Sequence, residues 1–102
     1  MPEEKLAGYA LDPAHPRGRH KSRVFSSALG IEQTDWRYLR DQLIEHIVDA
    51  AVLGTRITPF GVLYEVMVLV DGLNGKTAPV AAIWIIEDVG PPRLVSTWVD
   101  IP

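Results

Sequence analysis

The chain has no cysteine among its 102 residues, which excludes disulfides, thiolate metal sites and cysteine nucleophiles. That absence fits a reducing compartment. Long apolar runs are also missing. The longest, "APVAAIWII" (residues 78–86), falls far short of the ~20 residues that a membrane-spanning helix needs. The opening "MPEEKLAGYALDP" lacks the basic-then-apolar order of a secretory signal. A soluble cytoplasmic protein with no membrane contact is therefore expected. No internal repeat or low-complexity segment interrupts the chain. Positive charge is not in excess either: the net charge of −3 argues against a broad, non-specific nucleic-acid binder.

What is present fits one globular domain, 1–102, with residues 1–10 as a flexible tail or an extra edge strand. Apolar residues make up 47% of the chain and charged residues 23%, the balance of a folded domain rather than a disordered one. The charge is unevenly placed. Residues 17–23, "RGRHKSR", carry Arg17, Arg19, Lys21 and Arg23, a local +4 that leaves −7 for the remainder. So small a basic spot suits one or two phosphates, or simply a solvated helix start.

The periodicity predicts two helices and then strands. "HKSRVFSSALG" places Val24, Phe25, Ala28 and Leu29 on one stripe, with Gly30 as its stop. The second helix is expected over 34–54, capped by Thr34 or Asp35 and ended by Gly54, with Trp36, Leu39, Leu43, Ile44 and Ile47 on its apolar face. "GVLYEVMVLVDG", "TAPVAAIWIIED" and "RLVSTWVDI" read as three strands joined by short turns, of which "DGLNG" suits a hairpin. "RITPF" or the residues near Tyr9 are candidates for a fourth. The expected fold is α+β: two N-terminal helices packed on an antiparallel meander of three to four strands. The apolar run of the middle strand points to burial on both faces, by a partner chain or by close helix packing at Ala81 and Ala82.

Few residues offer chemistry. Helical phase puts Lys21 on the stripe of Val24, Phe25 and Ala28, where it either snorkels to solvent or points into a cleft. Arg40 falls inside the apolar arc of the second helix. It would pair with a buried carboxylate such as Glu65 or Glu87, or clamp an oxyanion or phosphate. His15 and His20 flank the basic spot. Histidines beside cations are the parts of metal-independent RNA cleavage: a base for the 2′-hydroxyl, an acid for the leaving oxygen, a cation for the phosphorane. His15 in "HP" would otherwise simply hydrogen-bond its turn, and His46 reads as a core histidine. No third ligand stands near His15 and His20, so neither a metal nor a cofactor is expected. "GLNGK" is a turn rather than a phosphate loop.

"YALDPAHPRGRHKSRVFSSALGI", "LRDQLIEH", "TPFGVLYEV", "LNGKTAPVAAIWIIED" and "PPRLVSTW" together resemble a bacterial domain family of unknown function. Its pattern opens Leu-Asn/Asp-Pro-x-His-Pro-x-Gly, with a lysine following. The family in turn resembles the barnase, EndoU, colicin and RelE-like toxin ribonucleases. That resemblance implies His15, Lys21, Tyr64 and Thr97 as shared polar positions and Trp84 as structural. Arg19-His20 and Ser96-Thr97-Trp98 depart from the pattern, which withdraws support from His20. The resulting expectation is a toxin-like, metal-independent endoribonuclease. His15 would act as acid or base, Lys21, Arg23 and Arg40 would bind phosphate, and Tyr64 and Thr97 would position RNA. The alternative is a non-catalytic binding module whose partner is a cognate protein, antitoxin- or immunity-like, or a second copy of the chain.

Overall fold

The computed structural model describes residues 3–100. A short helix α1 (Glu3–Lys5) runs into a π-helical turn, Leu6–Ala10. Helices α2 (Arg19–Leu29) and α3 (Trp36–Glu45) follow. Four strands then form one antiparallel sheet in the order β1 (Ala51–Thr58), β2 (Gly61–Asp71), β3 (Thr77–Ile86), β4 (Arg93–Val99). Short connections leave no room for a parallel crossover, so the meander is the topology that the turns allow.

The helices cover one face of the sheet. Phe25 and Leu29, one helical turn apart on α2, and Leu39 and Leu43 on α3 are buried. They meet Val66, Val68 and Val70 of β2 and Val80 and Ala82 of β3, spaced by two as the pleat requires. Register locks this face: Val66 pairs Ala82, which pairs Thr97, while Tyr64 pairs Trp84, which pairs Leu94. A bulge at Ile83/Trp84 shifts β4 between those two rows. No helix among the described residues lies on the opposite face. Leu63, Met67, Ile83 and Ile85 are only half-buried there and Leu69 is exposed. Ala81 and Ala82 are both buried, on opposite sides of the middle strand.

Gly30 ends α2 at φ 65°, the left-handed stop expected of it. The hairpin after β2 docks on that stop: Leu73 N–H donates to the Leu29 carbonyl at 2.8 Å, and Asn74 sits against Gly30. A Cβ on Gly30 would lie 3.0 Å from that of Asn74. Two expectations need correction. Residues 3–10 are helical rather than an edge strand, because Leu6 and Ala10 turn inward together. The second helix stops at Glu45, and 51–58 form β1, so Gly54 lies within a strand. Val52, Thr55 and Ile57 are β-branched, and pairing with β2 outweighs the helical spacing that continues through "IVDAAVLG".

Candidate functional site

The opening motif builds the site's scaffold. Asp12 Oδ1 accepts the Ala14 N–H, tightening the turn before His15. His15 Nδ1 then accepts two backbone N–H groups, those of Arg17 and Gly18, each at 3.0 Å. Its carbonyl accepts the Arg19 N–H. A side chain bonding the second and third residues ahead, with its carbonyl bonding the fourth, is an N-cap, and Pro16 occupies the first position after it. His15 thus caps the turn that leads into α2. Assigned from this pattern, the imidazole is the Nε2–H tautomer, with one donor left and no free lone pair. Gly18 is buried against Tyr9: a Cβ there would fall 1.9 Å from the Tyr9 carbonyl oxygen. Only glycine lets the two segments touch.

This contact puts Tyr9 beside His15, ring centroids 4.8 Å apart at 31°. Lys21 completes the cluster. Its Nζ donates to Ser96 Oγ at 2.7 Å and lies 4.7 Å from the Tyr9 ring and 5.4 Å from the Trp98 ring. The lysine is half-buried at the free edge of the sheet, held by a hydroxyl and two π-faces with no carboxylate partner among the described residues. Both ion pairs among the described residues, Arg40–Asp41 and Arg93–Glu87, lie elsewhere. Arg17, Arg19 and Arg23 are exposed on the same segment and form no ion pair among the described residues, so the local positive charge faces solvent. Two aromatic platforms around a cation with two free N–H groups can hold an oxyanion beside a flat ring system.

The other expected residues lie apart. Thr97 is fully buried, and its hydroxyl donates to the Ala81 carbonyl at 2.7 Å, tying β4 to β3. Tyr64, two strands from β4, lines a cavity of about 740 Å³ between the end of α3, β1 and the Pro91–Pro92 loop. Arg40 lines it too, with Nη2 on Asp41 at 2.9 Å and the guanidinium 5.4 Å from the Trp36 ring. Its partner is thus its sequence neighbour, not Glu65 or Glu87, and Glu87 pairs with Arg93. Trp84 packs in the core and also lines the cavity. Tyr9, Ser96 and Trp98 were missed as site residues in the sequence. The signal for Ser96 and Trp98 was their departure from the family pattern, while nothing local marks Tyr9.

The sequence matches, over residues 1–100, the family described as "Domain of unknown function (DUF6883)". No curated protein matches it. Among solved structures, it is similar to a chain of a "Contact-dependent growth inhibition toxin - immunity protein complex from Klebsiella pneumoniae 342". The TM-score is 0.72 at 16% identity, covering 97% of this chain and 94% of that one. At that identity the likeness is one of fold.

Proposed function

The chain belongs to this family of unknown function, so its activity has to be read from its own residues, and we propose that it is a toxin-like domain cleaving RNA without a metal ion. The observation that carries this reading is Lys21, an ammonium without a carboxylate partner among the described residues, pinned by Ser96 between Tyr9 and Trp98, with His15 against the same Tyr9 ring. The fold shared with a chain of a toxin–immunity complex supports a place in such a system and fits a toxin and an immunity protein alike. In the reaction, the RNA 2′-oxygen bonds to the adjacent phosphorus and the bond from phosphorus to the 5′-oxygen breaks. A cyclic phosphate and a 5′-hydroxyl result, and water takes the proton from one oxygen and returns one to the other. The Lys21 ammonium and the His15 Nε2–H donate to the phosphoryl oxygens as charge builds on them. His15 serves here as a donor rather than as acid or base, because its cap hydrogen bonds occupy the lone pair. Tyr9 and Trp98 stack on flanking bases, and Arg23 adds a phosphate contact.

The test is cleavage of total RNA in chelator by the wild type and by Lys21→Ala. Loss of about a hundredfold or more in the variant is expected. An inactive wild type, or equal rates, removes the proposal.

A specific observation favours a protein partner as well. Leu63, Met67, Leu69, Ile83 and Ile85 give the helix-free sheet face a broad apolar area, with Glu65 and Arg56 set among them. A cognate, immunity-like protein or a second copy of the chain would cover it. Light scattering separates these, and a monomer that no candidate partner retains removes this second reading.

A further inference from the structure

Two opposite charges stand unpaired on the helix-free face of the sheet. Glu65 of β2 lies opposite Gly54 of β1, and Arg56 lies opposite Leu63, so the two charges are diagonal neighbours on adjacent strands. Neither joins an ion pair among the described residues. Glu65 is half-buried and Arg56 is exposed. Gly54 has open space where a Cβ would stand, which leaves a hollow of about 370 Å³ beside the carboxylate, walled also by Leu63 and Ile83. A partner covering this face with apolar groups alone would strand a desolvated carboxylate. The covering surface must therefore bring a cation to Glu65 and an anion to Arg56, at the same spacing, within an apolar field. The face itself, turned about a two-fold axis that passes between the two residues, presents that arrangement. Its strands of seven to eleven residues give it roughly 600 Å² in plan at the usual strand spacings. That is on the scale of the ~800 Å² that each partner buries in a standard interface.

We infer that a second copy of the chain covers this face, sheet against sheet, with Arg56 of each copy entering the other's Gly54 hollow and pairing with Glu65. This assignment rests on the face being a protein interface, as read above, and names its occupant. The Lys21 cluster lies at the opposite, β4 edge of the sheet, so RNA cleavage plays no part in it.

Sedimentation velocity over a range of concentrations gives the dissociation constant. The wild type should dimerise. Arg56→Glu, at an exposed position, should weaken the dimer about a hundredfold or more, because like charges then meet twice across the axis. Glu65→Arg should do the same. An equimolar mixture of these two variants should recover an affinity near that of the wild type, since both contacts between the unlike chains are again of opposite sign. Glu65→Gln keeps the shape of the side chain and should weaken the dimer about tenfold; it decides the matter where Glu65→Arg does not fold. A dimer indifferent to the charge reversals, or a mixture of folded variants that stays monomeric, would overturn the proposal. A monomeric wild type would overturn it too. If that monomer retains a candidate cognate protein that Arg56→Glu loses, the face is an interface with another occupant. If it retains none, the reading of the face as an interface falls as well.

Discussion

His15 Nδ1 accepts the Gly18 backbone N–H at 3.0 Å, and this bond joins the motif's histidine to its glycine. Each end has its own constraint. The histidine supplies the acceptor that a helical turn needs at its start, and the glycine makes room for the Tyr9 backbone.

The two nitrogens of His15 therefore separate by substitution. His15→Ala removes the cap and should cost about 1 kcal/mol of stability. His15→Asn restores a side-chain acceptor for the Arg17 and Gly18 N–H groups but not the ring donor. Urea midpoints should recover in His15→Asn while RNA cleavage does not. Recovery of both would mean that His15 only caps the turn.

Gly18→Ala should do more damage than its size implies. The added Cβ would lie 1.9 Å from the Tyr9 oxygen, so the two segments must part. A loss of about 1–3 kcal/mol is expected, as for other overpacked sites. Because Tyr9 carries one of the rings around Lys21, cleavage should fall further than the folded fraction does. A melting temperature within a degree of wild type would contradict the close approach.

Legibility in the sequence followed the distance between interacting residues. Helix α2, its Gly30 stop and the "DGLNG" hairpin rest on contacts a few residues apart, and their patterns are explicit. The helical phase of Lys21 was equally local. The first half of strand β1 was hidden because Ile47, Val48 and Ala51 prolong a helical spacing, while its end, Arg56 to Thr58, lies in the candidate strand "RITPF". Tyr9 and Trp98 reach Lys21 from other elements, the latter from the far end of the chain. Tyr64 and Thr97 lie on the same sheet face yet in different rows and strands. A shared pattern along the sequence carries no information about that separation.

Thr97 tests whether a motif position is structural. Its hydroxyl is spent on the Ala81 carbonyl in the buried layer, with no exposure to substrate. Thr97→Val keeps the shape and removes the hydrogen bond, so stability should fall by about 1 kcal/mol. RNA cleavage per folded molecule should be unchanged. A fully folded Thr97→Val protein without activity would return Thr97 to the site.

Lys21 gives the sharpest measurement, because a phosphate contact and a structural contact respond differently to salt. As a structural group, Lys21 contributes one hydrogen bond to Ser96 and two cation–π contacts near the surface. The latter are worth about 0.5–1 kcal/mol each at exposed sites. Lys21→Met keeps the aliphatic stem between the rings and should lower stability by no more than about 3.5 kcal/mol. As a phosphate ligand, the ammonium displaces about one condensed counterion when single-stranded RNA binds. The slope of log affinity against log salt should then decrease in magnitude by about 0.7 in Lys21→Met. Lys21→Arg keeps the charge and should retain the wild-type slope even where its larger head weakens the Ser96 contact. Affinity lost in Lys21→Met with an unchanged slope would mean that the lysine shapes the cluster without touching phosphate. The RNA would then be held by the exposed arginines alone.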